Sequence, residues 1–164
     1  MNLPDIELIC VDLAVQLQQM IDDKQLNNPL IVGIRTGGVW VAERLQEALS
    51  GNSDIASLDI SFYRDDFTRH GLHPKVQGSE LPDSIEGRNI ILVDDVIMSG
   101  RTIRAAMNEL FDYGRPGTIH LVCLLDIGRR ELPIQPDICG ATLALNDGQL
   151  VKLTGPKPMV LTLA

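Results

Sequence analysis

The sequence predicts an α/β fold, a mostly parallel central sheet flanked by helices. Short, largely apolar runs, Leu30-Ile31-Val32-Gly33-Ile34, Asn89-Ile90-Ile91-Leu92-Val93 and Ile119 to Leu125, alternate with segments of helical periodicity. That order implies strands joined by crossover helices. The runs lack polar alternation, as expected of strands buried on both faces of a parallel sheet. Polar clusters follow the expected strands: Arg35-Thr36-Gly37-Gly38, Tyr63-Arg64-Asp65-Asp66, Asp94-Asp95 and Asp126. Ligands of such sheets bind beyond the carboxyl ends of the strands, so these clusters mark a candidate site.

Taken in order, residues 4–24 place Ile6, Ile9, Cys10, Leu13, Leu17, Met20 and Ile21 on one helical face, with Pro4 suited to the first turn. Leu30 to Ile34 is a strand between Asn27-Asn28-Pro29 and Gly37-Gly38, and a helix from about Val39 to Leu49 ends at Ser50-Gly51. The next strand is read at Leu58-Asp59-Ile60-Ser61-Phe62-Tyr63. A polar stretch from about Arg64 to Gly87 follows, long enough to suggest a functional loop. Then come the Asn89–Val93 strand, a helix from Arg101 to Tyr113 ended by Gly114, the Ile119–Leu125 strand, and short strands and turns beyond Gly128. Gly155-Pro156-Lys157-Pro158 reads as a turn or extended tail.

At 164 residues the chain suits one domain, 1–164, with a core that needs no staples. Cys10, Cys123 and Cys139 stand apart among apolar neighbours, as free thiols do in a reducing compartment. No apolar run approaches the roughly 18 residues of a membrane helix, and acidic residues interrupt the N-terminus early. The expectation is a cytoplasmic protein with no membrane contact. A net charge of −8, from 14 basic and 22 acidic residues, argues against a general DNA or RNA binder. A small anionic ligand needs only a local site. His70, His73 and His120 show no metal-ligand spacing, and Trp40 and Met107 suit core packing.

The chemistry concentrates in Asp94-Asp95 followed by Met98-Ser99-Gly100-Arg101-Thr102 at a helix start. A helix N-terminus offers unpaired N–H groups and partial positive charge to a phosphate. Gly100 permits close backbone approach, and the Ser99 and Thr102 hydroxyls can donate to phosphate oxygens. Two adjacent carboxylates would repel that phosphate, but they suit the hydroxyls of a sugar attached to it. A phosphate cradle beside a diol clamp predicts a ribose 5-phosphate.

Residues 91–102, Ile-Leu-Val-Asp-Asp-Val-Ile-Met-Ser-Gly-Arg-Thr, resemble the signature by which type I phosphoribosyltransferases bind 5-phosphoribosyl-1-diphosphate (PRPP). Leu58 to Thr68, Gly100 to Met107 and Arg130-Glu131-Leu132-Pro133-Ile134 narrow the likeness. Together they resemble the bifunctional pyrimidine operon regulator / uracil phosphoribosyltransferase family (PyrR), over about Leu30 to Gly140. The resemblance implies the type I phosphoribosyltransferase fold with a small hood from the terminal segments. It implies conversion of uracil and PRPP to UMP and diphosphate, with Mg²⁺ held mainly by the substrate and no dedicated protein metal site. It implies that Asp94 and Asp95 hold the ribose and that Val96, Ile97, Met98, Ser99, Gly100, Arg101 and Thr102 surround the phosphate. Arg35, Thr36, Gly37 and Gly38 would receive the diphosphate. Arg64 and Asp65 would open a flexible loop, about 64–87, that closes over PRPP with Arg64 adding positive charge. Asp126 and Arg129 would lie near the base, and the protein would form a dimer or larger homo-oligomer.

The chain departs from the family pattern at three places. It reads Arg35-Thr36-Gly37-Gly38 where Lys-Thr-Arg-Gly is usual, and Asp126-Ile127-Gly128-Arg129-Arg130 for Asp-Arg-Gly-His-Arg. Ala141 to Leu145 replaces a Lys-Asn-Val-Pro-Thr-Ser segment. These departures support a second reading of a different class, a weakly catalytic or non-catalytic regulator that senses UMP or PRPP and acts on RNA or a protein partner. The residues alone leave the base open to purine or orotate.

Overall fold

The computed structural model describes residues 1–51, 53–61 and 78–164. Five parallel strands run in the order β2-β1-β3-β4-β5: β1 (Leu30–Ile34), β2 (Asp54–Leu58), β3 (Asn89–Ile97), β4 (Thr118–Asp126) and β5 (Ile138–Thr142). Helices α1 (Ile6–Asp23) and α2 (Gly37–Ala48) lie on one face, and α3 (Arg101–Phe111) on the other. The alternation of side chains along the strands supplies both layers. Ile31, Ile91, Val93, Val122 and Leu124 point to α1 and α2, while Leu30, Val32, Ile90, Leu92, Leu121 and Cys123 point to α3. This two-faced burial is why the strands read as continuous apolar runs.

The element boundaries differ from expectation where long-range pairing decides them. Asp5 caps α1, its Oδ1 accepting from the N–H of Glu7 (2.9 Å) and Leu8 (3.3 Å), so Pro4 precedes the cap instead of entering the first turn. α2 begins at Gly37, two residues before the expected Val39. β2 covers Asp54–Leu58, because its neighbour in the sheet is the five-residue β1; of the expected Leu58–Tyr63 strand, Phe62 and Tyr63 lie outside the described residues. Their ladder ends at Ile34↔Leu58, closed by Arg35 N–H to the Leu58 carbonyl (2.8 Å). β3 runs past Val93 to Ile97, paired with β4 as far as Ile97↔Asp126.

Beyond β5, an antiparallel pair, β6 (Val151–Thr154) and β7 (Val160–Leu163), joins through Gly155-Pro156-Lys157-Pro158, which is a turn. Leu153 and Leu161 anchor the pair on the α2 side of the core. This C-terminal pair is the hood. The N-terminal segment contributes a core helix instead, because the apolar face of α1 (Leu13 and Leu17, both 0% exposed) is buried in the core cluster it shares with α2, β4 and β5. Among the described residues no helix is long and apolar enough to cross a membrane. All three cysteines are free thiols. Burial pushes the Cys10 thiol up to about 11, so it stays protonated at neutral pH.

Candidate active site

The strand order reverses between β1 and β3, since the chain passes outward from β1 to β2 and then returns to β1's other side. Such a switch point opens a crevice at the carboxyl ends of the two strands. Here β1 pairs with β3 only to Gly33↔Val93, while β3 continues to Ile97. From Asp94 onward β3 has lost β1 as a neighbour, and the hood closes the other side of the gap.

Two adjoining hollows fill this gap, sharing Asp94, Val96 and Val151. The smaller, about 200 Å³, is lined by Ile97, Met98, Ser99, Gly100 and Thr102, with Ile127 and Leu150 opposite. The larger, about 480 Å³, is lined by Arg35, Thr36, Gly37 and Asp95, with Trp40, Lys152 and Leu153. The sequence-predicted phosphate loop, carboxylate pair and diphosphate loop therefore lie side by side in that order.

Local chemistry explains each placement. Asp94 is 5% exposed, and its Oδ1 accepts from the N–H of Asp95 (2.9 Å). Asp95 Oδ1 accepts from the N–H of Val96 (2.8 Å). Both carboxylates are thus oriented by their own strand. Gly100 caps α3 with φ 92°, a left-handed conformation that favours glycine. Ser99 Oγ accepts from the N–H of Arg101 (3.1 Å), which leaves its own proton to donate. At the other end α2 begins at Gly37, directly against Asp95, where a Cβ would overlap the Asp95 carboxylate. A side chain here, as in the family pattern's Arg, would require the Asp95 carboxylate to move. Two helix N-termini, those of α2 and α3, thus flank the carboxylate pair.

Several expected residues stand elsewhere. Arg101 turns its side chain to Glu131 (3.2 Å) and lines neither hollow. Gly38 lines neither hollow but lets α2 press onto β3, since a Cβ there would sit 2.6 Å from the Val93 carbonyl oxygen. Arg35 lines the larger hollow while pairing with Glu80 (3.1 Å). Asp126 and Arg129 line neither hollow. Asp126 accepts from Arg130 (2.6 and 3.1 Å) and from the N–H of Gly128 (2.8 Å), and the Arg130 hydrogen bonds hold its carboxyl below the usual range. Arg129 donates to the Leu145 (2.7 Å) and Asn146 (3.0 Å) carbonyls, anchoring the approach to the hood. Arg64 and Asp65, with Tyr63 and Asp66, lie outside the described residues.

Sequence reasoning missed Trp40, Val151 and Lys152 as site residues. Trp40 stands in the first turn of α2, a position adjacent to the Gly37 loop that was available as a signal. Lys152 carried no local signal, since only the folding back of β6 brings it there. Among the described residues no group of three or more His, Cys, Asp or Glu could hold a metal ion. The donors present, Asp94 and Asp95, suit a Mg²⁺ that keeps one or two carboxylates and takes its remaining oxygens from substrate and water.

Residues 2–144 match the family model described as phosphoribosyl transferase domain. The chain is 55% identical over 161 residues to the bifunctional protein PyrR of Pseudomonas putida, covering 98% of this chain and 94% of that protein. It is 54% identical over 163 residues to the bifunctional protein PyrR of Pseudomonas fluorescens, covering 99% and 97%. Among solved structures, a hypoxanthine-guanine phosphoribosyltransferase from Bacillus anthracis matches with a TM-score of 0.70 at 20% identity, covering 88% of this chain and 84% of that one. A hypoxanthine phosphoribosyltransferase from Staphylococcus aureus matches at 0.65 and 21% identity, covering 88% and 76%. At such low identity these two structures speak for the fold alone.

Proposed function

The chain belongs to the phosphoribosyl transferase domain family and, within it, to the bifunctional PyrR proteins, and on that premise we propose that it transfers the phosphoribosyl group of PRPP to uracil, yielding UMP and diphosphate. The observation that carries the reading is the Asp94-Asp95 pair between two helix N-termini at the sheet's switch point.

In the proposed mechanism the 5-phosphate sits at the N-terminus of α3, held by backbone N–H groups and the Ser99 and Thr102 hydroxyls. Asp94 and Asp95 accept from the ribose hydroxyls and fix the ring between the two hollows. The diphosphate lies at the N-terminus of α2, where Arg35 and Lys152 are the nearby cations among the described residues. Uracil N1 forms its bond to ribose C1 as the C1–oxygen bond to diphosphate breaks, and the N1 proton passes to solvent. Positive charge develops on the ring in between, and the Asp94 and Asp95 carboxylates stabilise it. Asp94 and Asp95 would hold a Mg²⁺ bound with PRPP, which would supply charge neutralisation for the leaving diphosphate. We propose that Arg64 and Asp65, which lie outside the described residues, also contribute. The chain's own work is positioning and charge stabilisation.

The test is UMP formation from labelled uracil and PRPP with Mg²⁺, beside hypoxanthine, guanine and orotate. Turnover with uracil alone, reduced on the order of ten- to a thousand-fold in Asp94→Asn, is the expected outcome. An Asp94→Asn protein as active as the wild type would remove the assigned role of Asp94.

We propose that control of pyrimidine biosynthesis genes accompanies this activity, in line with the relatives' description as bifunctional. The departures at Gly37, Ile127 and Ala141 to Leu145 favour a regulatory reading in which the pocket senses UMP or PRPP. Binding of either without turnover of any base would support it. We propose that it acts on RNA or a protein partner, with any RNA contact falling to basic residues outside the ion pairs. Arg35, Arg44, Arg88, Arg101 and Arg130 are already ion-paired, and the net charge is −8. We propose a homo-oligomer of two or more chains.

A further inference from the structure

We infer that Arg130, which lines neither hollow, is the positioning residue that aims the phosphate loop. The inference rests on the reading of Met98–Gly100 as a phosphate cradle. The Arg130 side chain is 15% exposed, and its guanidinium is committed on three sides. Nη1 donates to the Met98 carbonyl (2.9 Å), Nη1 and Nη2 donate to the Asp126 carboxylate (3.1 and 2.6 Å), and Nη2 donates to Gln135 Oε1 (2.6 Å). The following residues extend the grip. The backbone N–H groups of Glu131 (3.0 Å) and Leu132 (3.1 Å) both donate to the Ser99 carbonyl.

The consequence follows from peptide geometry. In a planar trans peptide the C=O and the N–H point in opposite directions. The Met98 carbonyl shares its peptide with the Ser99 N–H, and the Ser99 carbonyl shares its peptide with the Gly100 N–H. Because both carbonyls are drawn toward residues 130–132, both N–H groups point away from that segment, on the side of the smaller hollow. A cluster of aligned N–H groups is what binds a phosphate. Gly100 allows the loop to lie flush on the grip, since a Cβ there would be 3.3 Å from Ile134 Cβ and 3.7 Å from Arg130 Cδ. Asp126 ties the whole arrangement to the sheet, where it pairs with Ile97 at the end of β3.

A plainly structural ion pair closing the β4–β5 connection would affect folding without selecting for phosphate ligands. The discriminating measurement is calorimetric titration of the full chain with ribose 5-phosphate, alongside PRPP kinetics and urea unfolding. In Arg130→Met, loss of charge-assisted hydrogen bonds to the loop is expected to weaken ribose 5-phosphate about tenfold or more. KM for PRPP should rise in proportion with a smaller change in kcat, because the 5-phosphate is held equally in ground and transition states. The KM for uracil should stay put. Arg130→Lys should recover part of the affinity, since an ammonium reaches the Met98 carbonyl or Asp126 but does not fork across both. It also serves as the test should Arg130→Met not fold. Either variant, folded and binding ribose 5-phosphate as the wild type does, would overturn the inference. A wild-type chain with no affinity for ribose 5-phosphate would overturn it too, along with the cradle itself. Wild-type binding without turnover of uracil would instead defeat the reaction reading, while weakened binding in the variants would still support the positioning role.

Discussion

Asp94 and Asp95 occupy neighbouring positions on a strand, yet their carboxylates meet different surroundings. Asp94 is nearly buried between the two hollows, while Asp95 faces the start of α2 across Gly37. Lys152 stands on the same cleft from the opposite wall. In the proposed reading a diphosphate beside two carboxylates calls for positive charge, and with Gly37 in the family's Arg position Lys152 joins Arg35 in supplying it among the described residues. Lys152→Met is therefore expected to raise KM for PRPP by about threefold to tenfold, with the difference shrinking in high salt as an exposed charge is screened. Steady-state kinetics at two ionic strengths would show it. A change in kcat alone, or no salt dependence, would count against an electrostatic role. The carboxylates and the Met98–Gly100 loop were legible as cleft residues because they are contiguous in the chain. Lys152 was not, because a solvated lysine and a site lysine look alike until β6 folds back.

Elements gain their roles from what they pack against. The amphipathic face of α1 was read correctly from its periodicity, but which surface it would cover depended on β5, α2 and β4. Leu13 lies at the centre of that contact with no exposure. Leu13→Ala should lower unfolding free energy by about 2–5 kcal/mol, read from urea denaturation. A cost well under that range would mean α1 behaves as a loose hood instead of a core helix. β2 shows the converse. Its apolar residues extend through Ile60, which is fully buried, but the ladder stops at Leu58 because β1 stops at Ile34. Strand ends are set by the shorter partner, and that information lies elsewhere in the chain.

For the whole molecule, the acid response follows from Asp126. Its folded pKa is depressed, chiefly by the hydrogen bonds from Arg130. A depressed carboxyl contributes stability that is present above its unfolded value, about 3.9, and is lost as pH falls through the folded value. Asp126→Asn should therefore be less stable than the wild type at neutral pH, and the gap should narrow below about pH 4. Thermal melts across pH 2.5–7 would measure the difference. A gap independent of pH would mean that the ion pair contributes packing alone. The same pair sits behind Met98–Gly100, so under the proposed phosphate-binding reading acid should loosen ligand binding and fold together.

The sequence by itself determined the alternation of strands and helices, the core faces, and the carboxylate pair and Met98–Gly100 loop that line the cleft. Each is encoded in residues close along the chain, where periodicity and helix-end chemistry act locally. Only the tertiary structure decided where β2 and β3 end, that α1 belongs to the core, and that Asp126 and Arg129 are bound within the protein. It also brought Lys152 to the cleft and set Arg130 behind the loop. Those facts depend on contacts between residues far apart in sequence, and partners of that kind are chosen by the packing of the whole fold.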